Sequence, residues 1–172
     1  MSRNLIIYYS RRGQNYVGGS IVNLARGNTE LVVGYIADAV GADLFEVVTA
    51  KPYSEDYTAC TEEAKAELRS HARPELRNYL SDISGYDRIA VAGPCWWGTY
   101  PCGVFTQLEK LDFTGKRVFP LMTHEGSGLG RAVRDLRDCC RGADIGAGLA
   151  VWGSEAPDAR EMVSAWARQH LA

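Results

Sequence analysis

At 172 residues, 46% hydrophobic and 23% charged, the chain has the composition of an ordinary globule long enough for a single core. Its net charge of −2 gives no electrostatic case for nucleic acid or an anionic membrane as partner. The first residues run straight into a short apolar strand, without a signal-peptide core or an apolar span of about twenty residues, so a cytoplasmic protein is expected.

The first predicted strand covers residues 4–10 and ends at Ser10. Residues 11–26 follow, a connection longer than the roughly two to six residues typical of a βα loop. Within it, residues 15–24 form two short extended runs around Gly18-Gly19, which predicts a hairpin-like flap. A helix is predicted over 28–40, with Leu31, Val32, Tyr35 and Ile36 on one face, Asn28 as N-cap and Gly41 as stop. Strand 43–48 leads to a helix over 54–70, opened by Ser54 with Glu55 and Asp56 in its first turn. Strand 87–93 is followed by a helix from Tyr100 or Pro101 to 111, strand 116–123 by a helix over 129–141, and strand 144–151 by a helix over 157–171. In the fourth helix, Asp135 and Asp138 stand four residues after Arg131 and Arg134, the pattern of a solvated face with paired charges.

Strands alternating with amphipathic helices make a parallel sheet covered on both faces, an α/β fold. Right-handed crossovers then put the carboxyl ends of all five strands on one edge, where open sheets place their ligands. Three of those ends carry unusual sequence. After the first strand, Ser10 and Gly27-Asn28-Thr29-Glu30 offer a hydroxyl and free helix-start N–H groups, an anion cradle or simply a helix cap. After the third, Pro94-Cys95-Trp96-Trp97-Gly98-Thr99-Tyr100-Pro101 sets two tryptophans between prolines, a flat wall for a stacking ligand or a closure of the sheet top. After the fourth, Thr123-His124-Glu125-Gly126-Ser127-Gly128-Leu129-Gly130 offers backbone and hydroxyl groups to polar ring atoms. It is not GxGxxG, and Glu125 stands where a GxSxG elbow needs its first glycine.

Cys60, Cys95, Cys102, Cys139 and Cys140 are odd in number and lack CxxC spacing, so reduced thiols are expected. His71, His124 and His170 form no HExxH arrangement, and no metal site is expected.

In chain order, IIYYS at 6–10, GNTE at 27–30, GADLFEV at 41–47, KPYSEDY at 51–57, PCWWGTYP at 94–101 and THEGSGLG at 123–130 resemble the flavodoxin family, in the branch with a Trp-Trp second loop and a THxGSG third loop. The resemblance implies one domain over 1–172, interrupted by an insertion at 11–26 in the phosphate-binding loop. It implies a three-layer sandwich around a five-stranded parallel sheet of order 2-1-3-4-5, with noncovalent FMN at the switch point. Ser10, Gly27, Asn28 and Thr29 would then hold the phosphate. Pro94, Cys95, Trp96, Trp97 and Gly98 would line the isoalloxazine, with Thr123, His124, Gly126, Ser127 and Gly128 on its other side. Arg11, Arg12 and Tyr16 of the insertion would touch the cofactor. Cys95 is expected to be a packed thiol, and His124 is a candidate proton donor.

The function implied is that of an FMN redox protein carrying electrons or reducing a small acceptor such as a quinone. Its partners would be a redox protein, or NAD(P)H and a small acceptor, and it would be a monomer or homodimer. An NAD(P)H-dependent quinone reductase and a flavin-free interaction module are the alternatives.

Overall fold

The computed structural model describes residues 3–172. In chain order the elements are β1 (Asn4–Tyr8), β2 (Gly13–Val17), β3 (Ser20–Leu24), α1 (Asn28–Val40), β4 (Asp43–Glu46), α2 (Tyr57–Arg69) and β5 (Arg88–Pro94). They continue with α3 (Cys102–Leu108), β6 (Arg117–His124), α4 (Ala132–Cys139), β7 (Asp144–Ile145), β8 (Leu149–Trp152) and α5 (Arg160–His170). The main sheet runs β4-β1-β5-β6-β7, with β8 also on β6, and every pairing in it is parallel. With β7 and β8 taken as one interrupted strand and the separate β2-β3 ribbon set aside, this is the expected 2-1-3-4-5 order.

Strand alternation divides the core in two. Leu5, Ile7, Ile89, Val91 and Val118 pack with Val104 and Leu108 of α3 and Leu136 of α4. Their neighbours Ile6, Ala90, Phe119 and Leu121 pack with Val32 and Ile36 of α1 and Val163 and Ala167 of α5. Each such aliphatic side chain stabilises the sandwich by roughly 1.5–3 kcal/mol. The strand ends are thereby held in fixed positions relative to one another.

The fifth predicted strand, 144–151, is broken at Gly146-Ala147-Gly148. The Val118 carbonyl accepts from Gly146 N at 2.8 Å, so β6 turns its even-numbered backbone groups toward this edge. Pro120 is the next such residue and has no N–H to donate, and the ladder stops there. A Cβ on Gly146 would stand 2.4 Å from Phe119 Cε1, and one on Gly148 2.6 Å from Leu129 Cδ1, so the backbone crosses closer than any side chain allows.

Helix starts differ from expectation in instructive ways. Asp56, not Ser54, caps α2, its carboxylate accepting from Ala59 N at 2.9 Å. Pro157 lies in a 3-10 turn over Gly153–Asp158, so α5 begins at Arg160. The α4 aspartates do not pair four residues back. Asp135 instead accepts from Thr99 at 2.5 Å and pairs with Arg134, while Arg131 donates to the Trp97 carbonyl.

Candidate functional site

Gly27, rather than Asn28, occupies the N-cap of α1, in extended conformation with no side-chain cap of its own. The cap comes from outside the helix, since Ser10 Oγ accepts from Glu30 N at 3.0 Å. This packing requires glycine, because a Cβ on Gly27 would lie 2.2 Å from Ser10 Oγ and 2.6 Å from the Arg11 carbonyl. Among the described residues, the N–H groups of Asn28 and Thr29 have no partner. They are the orphan donors of a helix start, where the dipole also favours an anion. Thr29 is buried, its hydroxyl paired with that of Thr123 at 2.8 Å, and this bond ties the helix start to the end of β6.

The tryptophans do not form a single wall. Trp96 N donates to Thr99 O at 2.8 Å and Thr99 N to Trp96 O at 3.3 Å, closing a two-residue turn. Its central residues, Trp97 at φ 55° and Gly98 at φ 88°, are both left-handed, as in a type I′ turn. The reversal sends the two rings to different places. Trp96 packs edge-on between Tyr9 and Tyr53, with both centroids 5.1 Å away. Trp97 stays 47% exposed, donates from Nε1 to the Thr61 carbonyl of α2 at 2.9 Å, and carries Lys65 Nζ 5.0 Å from its ring centroid. A bulky residue in this region costs roughly 1–2 kcal/mol, which marks the turn as held by its surroundings.

In the third loop Gly126 and Gly128 supply left-handed backbone. His124 is buried against Trp152, with ring centroids 4.9 Å apart, and its Nδ1 accepts from Gly126 N at 2.9 Å. That bond leaves the proton of the neutral ring on Nε2, and burial holds the imidazole below its ordinary pKa against the opposing pull of Glu125 and Glu155. The ring is therefore neutral near pH 7. The Cys60 thiol is pushed up to about 11 by burial, so no thiolate stands there.

The insertion is a hairpin, as expected, with Gly18 and Gly19 at φ 60° and 91° in its turn. Arg11 does not reach for an anion. Its guanidinium donates to the carbonyls of Gln14, Ser54 and Glu55 at 2.7, 3.0 and 3.1 Å. Arg12 instead bridges Glu30 and Glu46. Tyr16 stacks on Tyr57 with centroids 6.2 Å apart. At the tip, Gly18 N donates to Glu125 Oε2 at 3.1 Å.

Two adjoining cavities lie under this hairpin. One, of about 170 Å³, opens on Asn28, Thr29, Thr123, His124 and Ser127, with Pro94 and Tyr16 also in its wall. The other, of about 270 Å³, lies between α2 and the tryptophan turn, against Thr61, Ala64 and Trp97. Arg11, Asn15, Tyr57, Cys95 and Trp96 belong to both walls. Together they reach the roughly 300–1,000 Å³ of a small-ligand site.

Most of the expected residues thus converge on one place. Ser10, Gly27, Gly98, Gly126 and Gly128 stand outside the cavity walls and act by shaping the loops. Tyr57, Glu125, Gly153 and Asn15 were not anticipated. A Tyr at the start of a predicted helix and a Glu inside a glycine loop were the only signals they offered.

A parallel sheet of this order, with a helix start whose first N–H groups are unpartnered and an aromatic chamber beside it at the switch point, defines a doubly wound α/β sandwich. A sequence profile described as Flavodoxin matches residues 21–170, and the chain belongs to the flavodoxin family. Among solved structures, a Bacteroides uniformis protein provisionally assigned as a flavoprotein is 26% identical, with a TM-score of 0.75 over 97% of this chain and 98% of that one. A Bacteroides eggerthii protein of the same provisional assignment is 23% identical, with a TM-score of 0.77 over 100% and 99%. A Lactobacillus acidophilus flavoprotein in complex with FMN is 19% identical, with a TM-score of 0.64 over 94% and 99%. No curated protein sequence matches the chain.

Proposed function

We propose that the chain is an FMN-binding redox protein. The observation that carries this reading is the junction of a polar chamber at the α1 start with an aromatic chamber at the tryptophan turn. The residues fit the group. The unpartnered N–H groups of Asn28 and Thr29 would take the phosphate, with Gly27 keeping the backbone close, while Thr123 and Ser127 border the polyol chain and Trp96, Trp97 and Tyr57 the ring. With Arg11 and Arg12 committed elsewhere, the anion would be held by neutral donors and the helix dipole rather than by a cation. Bound FMN would supply reversible electron transfer. The protein's part would be to hold the group and partly exclude water from it, with Trp97 on the exposed side of the aromatic chamber. His124 would offer a neutral Nε2–H donor.

Titrating purified protein into FMN tests this, with quenching of flavin fluorescence expected at a 1:1 end point. Absence of quenching would leave an interaction module without flavin. Steady-state NADPH oxidation with and without a quinone then separates a reductase from a carrier, which turns over neither.

A further inference from the structure

We infer that the β2-β3 hairpin is a hinged lid over the ligand site, fastened at its tip by Glu125. The inference rests on the flavin reading for the identity of the ligand but not for the motion itself.

The hairpin forms its own two-stranded sheet and shares no ladder with the main one. Its base is anchored several times over. Arg11 reaches the carbonyls of Ser54 and Glu55, Tyr57 N donates to Gln14 Oε1 at 2.8 Å, and Asn15 Nδ2 donates to the Arg11 and Gly13 carbonyls. Its tip crosses to the far side of the site, where among the described residues the bond from Gly18 N to Glu125 Oε2 is the one hydrogen bond joining residues 17–20 to the body, with the Tyr16–Tyr57 stack nearer the base. Asn15 belongs to the walls of both cavities, so a ligand spanning the two would lie against the ribbon. Ile21, 53% accessible, shares its face of the ribbon with Tyr16, whose ring stacks on Tyr57, so that face meets the body only near the base.

Closure is also finely balanced at the latch. Glu125 Oε1 is buried and finds no partner among the described residues. The gain from one charge-assisted bond is therefore set against the desolvation of a second carboxylate oxygen, terms of similar size. Gly13, at φ 85°, gives the anchored base a left-handed backbone that favours glycine. An end tied to the body by one hydrogen bond opens before an end tied by three.

The structure offers a direct way to lock the lid. A Cβ placed on Gly18 would lie 3.8 Å from Ser154 Cβ, the usual separation in a disulfide. The Gly18→Cys/Ser154→Cys variant, oxidised without FMN, is expected to associate with FMN at least 100-fold more slowly than the same protein after reduction, followed by stopped-flow fluorescence quenching. Equal rates in the oxidised and reduced forms would overturn the lid. Amide hydrogen exchange on the wild-type protein gives a reading that needs no variant and no flavin. Amides of residues 14–17 and 20–24 are expected to exchange at least 100-fold faster than those of β5, and protection equal to β5 would overturn the proposal. Loss of quenching in wild-type and reduced protein alike would count against flavin binding, and exchange would still decide the lid.

Discussion

Replacing Gly27 with alanine tests whether the α1 start is a cradle built by close approach. The backbone there, at φ −64° and ψ 154°, suits any residue, so conformational strain does not enter. What enters is contact: the new Cβ would meet Ser10 Oγ at 2.2 Å and the Arg11 carbonyl at 2.6 Å. The Ser10 hydroxyl can rotate away, at the loss of the Glu30 cap, about 1 kcal/mol. The carbonyl cannot rotate, and moving the backbone adds the roughly 1–3 kcal/mol of an overpacked site. The sum is about 2–4 kcal/mol, which lowers the urea midpoint by roughly 1–2 M at a slope of about 2 kcal/mol/M. Ser10→Ala removes only the cap and should lose about 1 kcal/mol. Because the shift also moves the free N–H groups of Asn28 and Thr29, Gly27→Ala should weaken FMN binding by more than tenfold, read by fluorescence quenching. A Gly27→Ala protein with a midpoint within experimental scatter of wild type would refute the close-packed geometry.

Two further outcomes follow from the loops. His124 has its folded pKa held below the unfolded value by burial, so the unfolded chain binds the extra proton first, and stability falls as pH drops through about 6.5. Urea midpoints at pH 7.5 and 5.5 should therefore differ less in His124→Gln than in wild type, and an unchanged difference would contradict the assignment. Trp97→Gly removes a left-handed tryptophan, a relief of about 1 kcal/mol, and loses the Nε1 bond to Thr61, of about the same size. Its thermal midpoint should stay near wild type while FMN affinity falls about tenfold, a separation that a tryptophan serving only to pack the sheet top would not give.

Local pattern alone settles a good deal of this protein. Apolar runs of strand length, glycine-stopped helices and the Gly18-Gly19 pair depend on neighbours a few residues apart, so the parallel sheet, its helices and the hairpin are all legible without coordinates. The interruption of the last strand was not legible in this way, because Pro120 matters only once β6 is known to turn it toward that edge. Tertiary structure decided the rest. Whether Asn28 or Gly27 caps α1 depends on Ser10 arriving from across the insertion, and the parting of Trp96 from Trp97 depends on α2 offering the Thr61 carbonyl. Tyr57, Glu125 and Gly153 reach the site from the start of α2, the loop after β6 and the turn after β8. Element identity follows from short-range sterics and periodicity, whereas a site wall is made by side chains far apart in sequence, whose meeting is set by how the helices pack on the sheet.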